Sequence, residues 1–257
     1  MVKLTFRQFR IFFLLSILIY VVIDQAIAKH HARSWSSTLT VVIYPINGDA
    51  SEESQQTINA LSEARFSPIK QFIKQQSELY GISIHQPIEI KLAPQVNKPP
   101  ALPEFDSGIV GAMWWSLQMR WWAWYENSYS GSKDIRLFVE YHADESTDSQ
   151  ISVGLEKGMI AFIKNYADDR LIERNNFIIA HEMLHTLGAS DKYDPITLMP
   201  LYPQGYAAPE LGKNKKQEQC EIMGGRIPYS SELAVTPNSL NACLIGNMTA
   251  KEIGWIK

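Results

Sequence analysis

Apolar and polar positions alternate most cleanly over Asp134 to Tyr141, which predicts a strand with one buried face. Ser37 to Pro45, rich in β-branched residues, predicts an earlier strand stopped by its proline. Pro87 to Leu92 alternates in the same way, and Ile151 to Tyr166 holds one or two further strands, with Gly154 and Gly158 marking bends. Helical spacing takes over between Glu52 and Leu79, where Ile58, Leu61, Ile69, Phe72 and Ile73 recur at threes and fours. Pro68 divides that stretch or opens its second part. A helix is predicted from about Arg170 to Leu187, ended by Gly188, and a last one from about Thr249 to Trp255. Pro94 to Pro103 and Asp194 to Gly225, with their prolines and glycines, read as loops. This order suits a single α+β domain of α/β-like character, residues 29–257, built on a twisted mixed sheet.

Two segments depart from the pattern. Gly108 to Asn127 lacks proline and carries Trp114, Trp115, Trp121, Trp122 and Trp124, five of the chain's seven tryptophans. It reads as a helix apolar over much of its circumference. Three roles fit it: packing across the sheet, lying at a membrane interface, or walling a substrate cleft. At the N-terminus, Lys3, Arg7 and Arg10 precede the apolar run Ile11 to Ile23, and Ala26-Ile27-Ala28 follows in the small-x-small pattern of a signal-peptidase site. The run alone covers about 20 Å as a helix, short of the ~30 Å hydrocarbon core; extension to Ala28 brings it near a thin bilayer. Residues 1–28 are therefore expected to be a signal anchor, with secretion after cleavage near Ala28 as the alternative. In both cases the basic flank places the rest of the chain outside the cytoplasm.

Composition adds little. Hydrophobic residues at 46% and charged residues at 20% are ordinary for a globular protein, and a net charge of -3 offers no footprint for nucleic acid. Cys220 and Cys243 are the only cysteines. In an exported chain the pair suggests a disulfide closing a loop of about twenty residues, with two buried free thiols as the alternative.

The chemistry concentrates at His181-Glu182-Met183-Leu184-His185 on the predicted helix. Residues four apart share a helix face, so His181 and His185 can grip one metal ion. Glu182, about 100° further round, contacts the water that the metal acidifies and is placed to act as general base. Gly188 stops the helix and reverses the chain, and Asp191 three residues on is placed to return toward the metal.

His-Glu-x-x-His-x-x-Gly-x-x-Asp resembles the zinc motif of the metzincin superfamily, in a matrixin-like arrangement. Most of that group has histidine as third ligand; snapalysin-like peptidases carry aspartate, the residue found here at 191. The resemblance implies a zincin domain holding one catalytic zinc on His181, His185 and Asp191, and a metalloendopeptidase acting on peptide or protein substrates. It also implies a methionine turn beneath the metal, for which Met223 in Glu221-Ile222-Met223-Gly224-Gly225 is the candidate. The tyrosine often found two places after that methionine is replaced by Gly225, and Tyr193 is the candidate to support an oxyanion instead. An aspartate ligand lowers the charge of the site, so activity is expected to favour neutral or higher pH. The resemblance implies that one of the strands of Asp134 to Tyr141 and Ile151 to Tyr166 is an edge able to pair with an extended peptide. Two other readings use the same residues: a zinc amidase acting on cell-wall material, and a catalytically inactive zinc-binding envelope protein. Of the remaining histidines, His142 is the substitute ligand should Asp191 fail.

Overall fold

The computed structural model describes residues 5–97, 108–143, 153–155 and 159–257. Lys3, Ile151, Gly158 and much of the proline-rich stretch before Pro103 lie outside them. In chain order the helices are α1 (Phe6–Ser34), α2 (Glu52–Asn59), α3 (Ser67–Leu79), α4 (Gly108–Tyr125), α5 (Ile172–Thr186) and α6 (Asn247–Glu252). The strands are β1 (Leu39–Asn47), β2 (Ile88–Leu92), β3 (Ile135–His142), β4 (Val153–Leu155), β5 (Ile160–Tyr166), β6 (Cys220–Glu221), β7 (Ile227–Pro228), β8 (Ala234–Val235) and β9 (Cys243–Leu244).

The main sheet runs β2-β1-β3-β5-β4. β1 pairs parallel with β2 and β3, and β3 pairs parallel with β5; β4 closes one edge antiparallel to β5. The expected mixed sheet is present, arranged as a three-layer α/β sandwich because both faces of its central strands are apolar. Leu39, Val41, Ile43, Leu137 and Val139 join one core with Ile69 and Ile73 of α3 and Ile179, Met183 and Leu184 of α5. Val42, Tyr44, Ile46, Phe138 and Phe162 join the second core with Met119 and Ala123 of α4. Burial of such side chains contributes about 1.5–3 kcal/mol each, so the sheet and α5 form a stiff base for whatever α5 carries.

One expectation is corrected. β1 continues through Pro45 to Asn47, because β2 has already left its side of the strand. The Pro45 carbonyl accepts from Val96, and the missing N–H on the same side costs no ladder bond. The helical stretch beyond Glu52 breaks before Pro68, which sits in the first turn of α3, where its lost N–H is harmless. At the N-terminus, α1 runs past Ala28 to Ser34, capped by Thr5 and Gln8 at its start and by Trp35 in the left-handed region at its end. Residue 28 therefore lies inside one continuous helix. Among the described residues no helix is long and apolar enough to cross a membrane.

Cys220 and Cys243 are buried free thiols that face each other in the β6–β9 register, with Sγ atoms 2.7 Å apart. Oxidation needs less than ~1 Å of further approach. Unreduced peptide mapping of protein prepared under oxidising conditions is expected to find the two linked, and reduction to lower stability by about 3 kcal/mol. Two free thiols in such a sample would show that the pair is only a packing contact.

Candidate metal centre

α5 is held in place from both ends of its first half. The Asn175 side chain donates to the Tyr166 carbonyl at 2.8 Å and accepts from its N–H at 3.2 Å, tying the helix to the end of β5. Asn176 donates to the Arg65 carbonyl at 3.0 Å. The apolar side of α5 sinks into the core through Phe177, Ile179, Ala180, Met183 and Leu184, which leaves His181 and His185 on the adjoining side. The helix stops as the sequence predicts. Gly188, with φ of 99°, donates to His185, and Ala189 donates to Leu184, the paired bonds of a Schellman ending.

This ending turns the chain so that Asp191 comes back over the histidines. Nε2 of His181 and of His185 are 3.2 Å apart, and Oδ1 of Asp191 lies 3.2 Å from the first and 3.1 Å from the second. A tetrahedral ion with ligand bonds of ~2.0–2.1 Å spaces its ligand atoms by about 3.4 Å, so the triangle fits zinc closely. The far side of each ring is fixed as well. Nδ1 of His181 donates to the Ile222 carbonyl at 2.9 Å, and Nδ1 of His185 to the Ala189 carbonyl at 2.8 Å. These partners assign the tautomer that leaves both Nε2 lone pairs directed at the triangle's centre. Two nitrogens and one carboxylate oxygen form a donor set suited to zinc.

Glu182 is buried, and one of its carboxylate oxygens lies within 4.8 Å of the imidazole nitrogens. Asp191 completes a close triangle with the two histidines, and Glu182 is near enough that its carboxylate also reaches the space where an ion would sit. Glu182 lines a cleft of about 300 Å³ with Phe177, Ile178, Tyr193, Arg226 and Thr236. His142 does not join this group; it pairs with Glu140 at 3.4 Å and packs on Gly48 at the end of β3.

The charges in the site reinforce one another. Burial would lower the His181 pKa, but the hydrogen bond to Asp191, the nearby Glu182 and the Ile222 carbonyl outweigh it and raise the value. Burial would raise the Asp191 pKa, yet its bonds to both histidines hold it well below the usual carboxylate range. Tyr193 is pushed above its ordinary value, first by burial and then by Asp191 and Glu182, and its hydroxyl donates to Asp191. Its ring lies 6.4 Å from that of His181 between centroids and beside Gly225, whose φ of 71° favours glycine there. Tyr193 thus occupies space next to the position where the resembled family carries its own tyrosine.

Met223 is fully buried in a 3₁₀ turn, Ile222–Gly224, that supplies the carbonyl holding His181. The Met223 carbonyl also accepts from the Lys192 N–H at 2.8 Å, joining the turn to the loop that carries Asp191.

Two residues that the sequence analysis did not single out hold these pieces together. Glu221, fully buried, accepts from the Gly224 and Gly246 N–H groups at 2.9 and 3.2 Å and from the Thr249 hydroxyl at 2.6 Å. Lys192, also buried, reaches Glu252 of α6 at 2.7 Å and the Ser190 carbonyl at 2.9 Å, pinning both sides of Asp191. Apart from Gly224 and Ser190, these side-chain partners are 25 to 60 positions away along the chain, so no local pattern announces them. Replacing Glu221 with alanine orphans two buried donors and a partly buried one, and is expected to cost about 2–4 kcal/mol in denaturant unfolding. An unchanged midpoint would mean that the turn is held by packing alone.

No family model matches the sequence, and no curated protein matches it. Among solved structures, two crystal forms of wild-type OgpA from Akkermansia muciniphila are similar at a TM-score of 0.40 and 14% identity. The match covers 82% of this chain and 58% of OgpA, so the chain spans little more than half of that protein's length. A chain from a chaperone–substrate complex is similar at a TM-score of 0.39 and 10% identity, over 85% of this chain and 34% of that one. These values lie below the level at which a common fold is defined.

Proposed function

We propose that the chain is a metzincin-like, zinc-dependent endopeptidase, with His181, His185 and Asp191 holding the ion and Glu182 serving as general base. The observation that carries this reading is the triangle of three ligand atoms 3.1–3.2 Å apart, with the buried Glu182 carboxylate close beside it. A purely structural zinc site fills its fourth position with another ligand and has no use for such a base. Bound zinc would polarise the scissile carbonyl and acidify the attacking water.

The chain's own groups do the rest. Glu182 accepts the proton of the attacking water and returns it to the leaving amine. Tyr193, kept protonated by its surroundings, has a hydroxyl at the mouth of the site that can shift from Asp191 to the developing oxyanion. β4, which ends the strand order among the described residues, is where an extended peptide would pair. Placement outside the cytoplasm, anchored through residues 11–28, belongs to the same proposal.

The first test is metal analysis of the purified full chain, followed by digestion of a peptide library. About one zinc per chain and cleavage that a chelator abolishes are expected. A folded, metal-replete sample that leaves every peptide intact but releases fragments from cell-wall material would replace the peptidase by an amidase. No bound zinc would end both readings.

Acidification is expected to cut activity. The metal needs neutral imidazoles, and the raised pKa of His181 lets protons compete from a higher pH than an ordinary histidine would. In the metal-free protein the sign for stability is opposite: protonated His181 contributes fully below ~6.5, and its contribution is lost as pH rises through the raised value. An activity profile peaking at or above neutrality is the expected result, and a maximum below it would count against an aspartate-ligated zinc.

A further inference from the structure

The aromatic helix α4 has two sides with different fates. Trp115, Met119, Trp122 and Ala123 pack on the sheet, Trp122 lying 4.8 Å from Phe138 and 5.6 Å from Phe162 between ring centroids. The opposite side presents Trp114, Leu117, Trp121 and Trp124 at spacings of three, four and three, a single helical stripe, with Tyr125 beside it. Trp114, Trp121 and Trp124 are 63–68% exposed. Neither the sheet nor the metal centre uses this stripe. An aromatic surface of this size demands an occupant, because lone exposed apolar side chains are common but a contiguous row of tryptophans is not.

We infer that the outer face of α4 rests on a lipid bilayer, in the headgroup region, beside the apolar length of α1. Three observations select this occupant. The stripe is made of tryptophan and tyrosine, which set an apolar ring toward acyl chains while an N–H or O–H edge stays with headgroups and water. α1 exposes a second apolar surface that includes Ile11, Phe12, Phe13, Leu14, Val22 and Ile23, behind the basic Arg7 and Arg10. The two helices also end close to the start of the central strand β3, α1 joining one core and α4 the other. α1 ends where Trp35 donates to the Ile253 carbonyl at 2.8 Å and His31 approaches Asp134 to 3.8 Å, at the start of β3. α4 ends beside that start, where Arg136 donates to the Ala123 carbonyl at 3.0 Å. A bilayer lying at that end of the sheet would meet both helices.

A second copy of the chain fits less well. The stripe offers roughly 500–700 Å², short of the ~800 Å² per partner of a stable dimer, and pairing through it would leave α1 uncovered.

The test uses the full chain in phosphatidylcholine–phosphatidylglycerol vesicles, with and without bromine on the upper acyl carbons. Brominated lipid is expected to quench wild-type tryptophan emission. The triple variant W114Q/W121Q/W124Q, altered only at exposed positions, should stay with the vesicles through α1 yet lose roughly twofold or more of the quenchable signal. Quenching equal in wild type and variant would overturn the inference. So would a stripe reached by aqueous iodide but not by brominated lipid, which would place α4 in water. Protection from both quenchers, with a chain that sediments as a dimer, would hand the face to a second copy.

Discussion

Glu182→Ala is expected to lower kcat/KM on a cleavable peptide by about 10²–10⁴ while zinc content and fold stay close to wild type. The separation follows from position. Glu182 sits next to His181 on α5 and lines the cleft, and the proposed ligand set is His181, His185 and Asp191, so removing its carboxylate takes nothing from that set. Alanine suits a helix interior better than any other residue, and the change also removes a buried carboxyl group. The lost charge lies near the ion, which should loosen zinc by no more than a few-fold. Among the described residues, what disappears is the carboxylate that the proposal assigns to take a proton from the attacking water, since Asp191 is engaged by both histidines. Zinc content by elemental analysis, a thermal midpoint and a single-turnover assay on the same preparation decide the matter. A variant that keeps both zinc and the wild-type rate would remove Glu182 from the mechanism.

The parts of this site differ in how openly the sequence displays them. His181, Glu182 and His185 are legible because a helix converts spacing directly into a shared face, and the helix itself follows from apolar periodicity and a glycine stop. Asp191 needed more, since a loop residue's direction depends on the whole turn. Its placement depends on Gly188 in a left-handed conformation and on Lys192 reaching Glu252, of which only the first shows in the sequence. The carbonyls of Ile222 and Ala189 that set the imidazole tautomers leave no trace at all, because every residue carries a carbonyl. The short strands β6 to β9 are too brief for any alternation to appear. Their register, which brings Cys220 to Cys243, is fixed by long-range contacts such as those of Glu221. The aromatic segment gave a helix but not its two sides, since an apolar residue on the sheet and one on the outer stripe look alike in one dimension.

Asp191→Ala carries the second large expectation: zinc affinity should fall by more than ~10²-fold, beyond the 10–100-fold typical of losing an outer-shell partner of a ligand. Two histidines would remain, still oriented by their backbone carbonyls, but with no third donor at the apex that Oδ1 now occupies. The surrounding loop should survive the change, because it is tied by Lys192 to Glu252 and to Met223 rather than by the carboxylate. Asp191→Asn sharpens the reading: it keeps an oxygen in place and removes the charge, so its affinity should fall between wild type and alanine. Tyr193→Phe takes only a hydrogen bond from Asp191 and should leave affinity nearer to wild type than either. Competition with a chromophoric chelator gives all four constants on one scale. If Asp191→Ala binds zinc as tightly as wild type, the third ligand lies elsewhere, and Glu182, the nearest other carboxylate, would have to be reassigned from base to ligand. That exchange is testable in the same preparation, because a ligating Glu182 would then lose its zinc on substitution by alanine, whereas a base would not.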